Sequence, residues 1–184
     1  MIDAAAQVFY EKGYDAASTQ DIAEVVGILK GSLYYYVESK EEFLFEVIKE
    51  ANDMALGVLE RVQAAEGGPR DKLAALIRGH LEFYLGNRVK ATVFFRELNA
   101  LSQQRRQELH EVGRVYRVFI ARLITEGQKQ GVVNPGLDPA IAALAMVEML
   151  NSISRWYDPN GPVSSEHIIQ QYLAIIISGI ESPS

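Results

Sequence analysis

Cysteine is absent from the 184 residues. That excludes disulfides, thiolate metal sites and cysteine nucleophiles, and a reducing cytoplasm is the expected setting. Histidine is scarce: His80, His110 and His167 are scattered, with no acids at ligand or dyad spacing. No metal, no cofactor and no enzymatic activity are therefore expected. Long apolar runs are missing too. The charge-free apolar run near the C-terminus, Tyr172 to Ile180, falls short of the ~20 residues that a membrane span needs. No leader is visible, since Met1 runs straight into an amphipathic segment. Positive charge is not in surplus either. The net charge is −6, the wrong sign for passive binding to nucleic acid. Repeats, low-complexity tracts and phosphate-binding glycine loops do not occur.

What is present is apolar content and helical periodicity. Hydrophobic residues make up 48 % of the chain, enough for a substantial core in one large or two small domains. The stripe Ile2, Ala5, Ala6, Phe9 predicts a first helix over Ile2 to Lys12, closed by Gly13. A second helix is expected over Thr19 to Val26, with a hydroxyl at its start, Ser18 or Thr19, as cap, Thr19 being preferred, and with Gly27 as its stop. A third follows about three residues later, Lys30 to Val37. Two short helices joined by a tight turn are the pattern of a helix-turn-helix. Tyr34, Tyr35 and Tyr36 cannot share one buried helix face, because successive side chains point about 100° apart. Outward tyrosines beside Lys30 suit phosphate and base contact, with at least one of the three expected to pack inward. Lys30 and Gly31 sit at the end where such helices meet base edges.

This ordered set resembles the DNA-binding half of the TetR family of bacterial transcriptional repressors. The matching residues are Ala5, Phe9, Gly13, Tyr14, Thr19, Ile22, Ala23, Gly27, Lys30-Gly31-Ser32-Leu33-Tyr34 and Ser39-Lys40-Glu41-Glu42-Phe43. They span Ile2 to about Ile48. The resemblance implies operator DNA as partner, with Thr19, Lys30, Gly31, Ser32, Tyr34, Tyr35, Tyr36 and Lys40 as its contacts. Leu29 stands where family members often carry serine or threonine. Residues 1–44 hold three lysines against eight acids, a balance of −5. Family members also carry a basic arm ahead of their first helix, and here Met1 stands almost inside it. DNA binding would then rest on a few aimed groups rather than on a basic field.

Beyond Ser39 the chain reads as helix throughout. The stripe from Phe43 to Val62 predicts a rod of ~37 Å at the helical rise, ended by Gly67-Gly68-Pro69. Helices follow over about Asp71 to Leu85, Ala91 to Leu101 and Arg105 to Gln130. Asp138-Pro139 opens another, as N-cap and N1, and Ser164 or Ser165 caps the last. The expected fold is all-α with about nine helices: a three-helix helix-turn-helix domain over 1–44 and a helical effector-binding and dimerisation domain over 45–184. Residues 140–150 and the last helix carry more apolar surface than one face can bury. Pairing with a second copy in a four-helix bundle would use it, through Leu150, Ile169, Leu173 and Ile176. The family dimerises in that way.

Residues 61–131 hold 13 of the 18 Lys and Arg against seven acids, a surplus of +6. Solvated helix faces with i,i+4 pairs account for such a surplus; an anionic effector is the sharper reading. Asp138-Pro139, Asn151 through Tyr157 and Pro159-Asn160-Gly161 resemble a TetR subgroup that senses acyl-CoA thioesters of fatty-acid, steroid-ring or aromatic catabolism. The effector candidates are Phe94, Tyr116, Phe119, Met149, Arg155 and Trp156. Three readings stand at this point. The first is a dimeric repressor released by an acyl-CoA. The second is an efflux or detoxification repressor released by a lipophilic drug or free fatty acid. The third is a helical protein–protein module with a vestigial helix-turn-helix.

Overall fold

The computed structural model describes residues 1–182. Its elements are all helical, apart from one isolated antiparallel bridge between Val133 and Glu181. Among the described residues, no helix is long and apolar enough to cross a membrane. The chain forms two compact units.

The first unit comprises Met1–Met54 and Asn87–His110. It holds α1 (Ile2–Lys12), α2 (Thr19–Val26), α3 (Lys30–Leu33) and the first half of α4 (Lys40–Ala64). It also takes α6 (Arg88–Glu97), a 3-10 turn (Leu98–Ala100) and the start of α7 (Gln103–Lys129). The expected boundary at residue 44 thus falls inside α4. Phe9, Ile22, Leu33, Phe43, Leu44 and Ile48 are buried in this unit's core, and α6 adds Val93. Gly27 closes α2 with φ 77, the left-handed conformation that glycine adopts without a Cβ penalty.

Two local features differ from expectation. The cap of α2 is Ser18, not Thr19. Ser18 Oγ accepts the Asp21 N–H at 3.2 Å, and the Asp21 carboxylate accepts the Ser18 N–H at 2.8 Å, a closed capping box. The expected helix over Lys30 to Val37 is regular only to Leu33. Tyr34 to Tyr36 continue as turn, with the Tyr36 N–H donating to Leu33 O at 2.9 Å. Gly31 and three aromatic residues in a row are weak helix formers, and Leu33 and Val37 alone anchor the segment to the core.

The second unit comprises Ala55–Gly86 and Glu111–Ser184, of which 183 and 184 lie outside the described residues. It holds the rest of α4 and α7 with α5 (Pro69–Gly86), α8 (Pro139–Asn151), α9 (Ile153–Trp156) and α10 (Ser165–Ile180). Its interior includes Leu73, Leu76, Ile77, Leu81, Ile120 and Leu123. α5 and α4 meet closely at Gly79, where a Cβ would stand 2.7 Å from Val58 Cγ1. Asp138 caps α8, accepting the N–H groups of Ala140 and Ile141 at 2.8 and 3.0 Å. α8 and α9 are separate because Ser152 interrupts them. Its hydroxyl donates back to Met149 O at 2.6 Å, an alternative to regular helical bonding.

Candidate nucleic-acid interface and effector site

The helix-turn-helix segment presents one polar and aromatic surface. The Thr19 hydroxyl, released from capping, lies 3.4 Å from the Tyr34 hydroxyl. Tyr34, Tyr35 and Tyr36 are all exposed, Tyr35 at 88 %, so the expectation that at least one packs inward does not hold. Lys30 and Gly31 are exposed and Ser32 is half-buried. A Cβ on Gly31 would meet nothing within 4 Å, so the backbone there is open to close approach. Leu29, just ahead of α3, is 81 % exposed. An apolar side chain at that place can meet a thymine methyl.

Lys40 behaves differently from the expected phosphate contact. Its Nζ donates to Tyr14 O at 2.9 Å and Ala17 O at 3.0 Å, and lies 4.3 Å from the Tyr14 ring centroid. Two of its three N–H donors are therefore committed to the turn between α1 and α2. Lys12 is engaged as well, 2.6 Å from Asp21. Its ammonium, helped by Ser18, holds the Asp21 carboxyl down to about 2. Of the three lysines in residues 1–44, Lys30 is the one left exposed on α3. Which carbonyls a lysine binds is a property of the fold, and a residue pattern does not carry it.

The expected effector residues fall in both units. Phe94 belongs to the first unit, packed on its core and 4.9 Å, edge to face, from Phe95. Tyr116 and Phe119 are buried in the second unit. Met149, Arg155 and Trp156 are exposed on α8 and α9. Trp156 stacks on Tyr172, with ring centroids 6.5 Å apart and planes 17° from parallel. The cationic surplus over residues 61–131 is partly spent within the chain. Arg70, Arg78, Lys90, Arg96, Arg114 and Arg122 all make ion pairs, Arg78 with both Glu82 and Glu166.

One residue joins Tyr116 that the sequence analysis set aside. His80 on α5 is buried, with its ring 5.7 Å from that of Tyr116 and roughly edge to face. His80 Nδ1 and the Tyr116 hydroxyl are buried without a hydrogen-bond partner. Burial pushes the His80 imidazolium down to about 4 and raises the Tyr116 phenol, so both groups are uncharged at neutral pH. The signal in the sequence was a histidine on an apolar stripe between Ile77 and Tyr84, which reads equally as ordinary core.

The interface residues require correction. Leu150, Ile169 and Ile176 are buried within the single chain and Leu173 is half-buried, so the first three are core. The apolar side chains that α8 and α10 leave exposed are Ile141 at 68 %, Leu144, Met149 and Ile175 at 58 %.

Comparison with known proteins agrees with this architecture. Residues 1–47 match the family model described as bacterial regulatory proteins, tetR family, and residues 66–180 match a tetracyclin repressor-like C-terminal domain. The chain is 30 % identical over 181 residues to the HTH-type transcriptional repressor KstR2 of Mycolicibacterium smegmatis, covering 98 % of this chain and 88 % of that one. The ketosteroid regulator KstR2 of Mycobacterium tuberculosis superposes with a TM-score of 0.91 at 28 % identity, covering 99 % and 93 %. The fatty acid metabolism regulator protein of Bacillus subtilis is 26 % identical over 183 residues, covering 99 % and 94 %. AibR, solved with isovaleryl coenzyme A and operator DNA, shares the fold at 24 % identity and a TM-score of 0.86, covering 100 % and 97 %.

Proposed function

Since the chain belongs to the TetR family of transcriptional regulators, which are not enzymes, we propose that it is a homodimeric repressor released from its operator by an acyl-CoA thioester. Residues 1–44 form the DNA-binding head and 45–184 the effector-binding and dimerisation region. Each head reads one half-site of a near-palindromic operator, with Lys30, Gly31 and the exposed tyrosines against the groove and its phosphates. The protein acts in the cytoplasm, where operator and thioester are both found.

The effector class rests on one observation above all. The buried polar pair His80 and Tyr116 is uncharged and stands in an apolar helical interior. That interior suits an acyl group from lipid, steroid or aromatic catabolism, and among the described residues no lysine or arginine is buried in it to meet a free carboxylate. Relatives named for ketosteroid and fatty-acid regulation support the same class, and AibR, which shares the fold, was solved with isovaleryl coenzyme A. Release requires that the thioester bind the DNA-incompetent state better than the DNA-bound one.

The test is a gel-shift on the protein's own promoter region. A labelled operator complex is then titrated with a long-chain acyl-CoA, with free CoA and with the free acid. The thioester should release DNA at far lower concentration than either fragment. Equal release by acid and thioester would favour the plain lipophilic effector of an efflux or detoxification repressor. No shift on the promoter would favour a protein–protein module.

A further inference from the structure

The geometry points to His80 and Tyr116 as a paired polar anchor that recognises one uncharged oxygen on the effector's apolar part, a carbonyl or hydroxyl rather than a carboxylate. This rests on the ligand-responsive reading above. His80 comes from α5 and Tyr116 from α7, and both stand inside the second unit. Their rings lie 5.7 Å apart, roughly edge to face, so the two helices bring the side chains into contact range in one interior. Around them the helices are apolar. Leu76 precedes His80 by one turn, and Phe119 and Ile120 follow Tyr116 by one turn.

Buried polar atoms are almost always hydrogen-bonded. Here two of them, on different helices and side by side, lack partners among the described residues. Leaving them so weakens the empty protein, since each has been taken out of water without compensation. A single ligand oxygen seated between the two rings would satisfy both. A carbonyl has two lone pairs, and the phenol O–H and, in the tautomer protonated at Nδ1, the imidazole N–H each donate one hydrogen bond. Both groups are uncharged in the interior, so the pair favours a neutral oxygen over an anionic one. The apolar surroundings give affinity, and the pair gives discrimination. A site built to hydrogen-bond an oxygen rejects the analogue that lacks it far more strongly than an apolar pocket can.

Two sources of that oxygen exist: the thioester carbonyl itself, or a keto group further along the acyl part. The experiment separates them. Operator release is titrated with a saturated long-chain acyl-CoA, a ring-ketone acyl-CoA and an uncharged lipophilic ketone, on wild type, Tyr116→Phe, His80→Leu and His80→Gln. Melting temperature without effector is recorded for each. Tyr116→Phe removes one oxygen and no volume, so the empty protein should melt at or above the wild-type temperature. The same variant should need at least about tenfold more effector for half-release. His80→Gln keeps a polar end and should recover part of the response that His80→Leu loses. A loss shared by both thioesters assigns the thioester carbonyl; a loss confined to the ring ketone assigns the distal oxygen.

Unchanged half-release in Tyr116→Phe and His80→Leu overturns the anchor, and a water is then what the pair holds; the acyl-CoA reading survives that result. Failure of the wild type to respond to any thioester overturns the acyl-CoA reading instead. In that case the lipophilic ketone still decides the anchor. A Tyr116-dependent response to it supports the pair, and no response in the wild type rejects it.

Discussion

Glu97 accepts the backbone N–H of Tyr14 at 3.3 Å, across 83 positions of sequence. Its neighbour Arg96 donates to the carbonyls of Phe9 and Tyr10 and lies 2.6 Å from Glu97. One ion pair on α6 therefore closes the C-terminal end of α1 and the turn that follows it. A guanidinium is well placed there, since the last carbonyls of a helix carry partial negative charge. Within the first unit, the orientation of α1 is set from α6.

Arg96→Ala should consequently lower stability by about 1 kcal/mol, the worth of a hydrogen bond between partly exposed groups. It should also weaken operator binding although it touches no DNA. Denaturant melts and operator titrations check both. Loss of neither would mean that the α6 pair does not position the head.

Lys30 and Lys40 should separate cleanly. Lys30→Ala and Tyr35→Ala should each cost about 1–3 kcal/mol of operator affinity with the melting temperature unchanged. Lys40→Ala should instead lower the melting temperature, because the Tyr14 and Ala17 carbonyls lose their donor. The reverse pattern would assign DNA contact to Lys40 and a structural role to Lys30.

Burial sorts the last helices into core and contact. Ile175→Glu and Leu144→Glu should yield folded monomers by sedimentation, since both side chains are exposed in the single chain. Ile176→Glu should unfold the protein, because it places a charge in the interior. An intact dimer in both of the first two variants would put the interface on other elements.

His80 should make stability depend on pH. Its folded-state value is about 4 against an ordinary 6.5. Between those values the unfolded chain binds a proton that the folded chain refuses. Its effect is therefore absent above 6.5, and stability falls as the pH drops towards 4, by up to about 1.4 kcal/mol per pH unit. Carboxylates titrate in both proteins, so the comparison is wild type with His80→Gln. Denaturation curves at about pH 7 and about pH 4.5 should diverge by this contribution. Parallel behaviour would show that His80 is charged in the folded state.

The helices were legible because their ends carry local chemistry. Gly27 and Asp138-Pro139 read as stop and start in one dimension, and they act so in three. The apolar stripes of α1 and α4 behaved likewise. α8 and α10 were harder. An excess of apolar residues shows that a helix is covered on many sides, but not which side its own chain covers. Leu150 and Ile176 were assigned to a partner for that reason. Thr19 and Ser18 are adjacent hydroxyls with equal claims on the cap, and only the backbone at Ser18, extended at φ −125, decides between them. His80 needed its neighbour, since Tyr116 lies on a helix that begins well past α5 in sequence.

Trp156 is the sole tryptophan of the chain. It is 52 % exposed and stacked on Tyr172, whose hydroxyl lies 3.2 Å from the Ser152 hydroxyl at the break between α8 and α9. Indole fluorescence from the intact protein thus originates at one spot. Its emission maximum follows the wetness of the α9 corner, and its intensity follows the stacking on Tyr172. The chain carries a built-in optical probe of that corner, readable without a label and unaffected by the tyrosines of the DNA-binding segment when excitation is confined to the indole band.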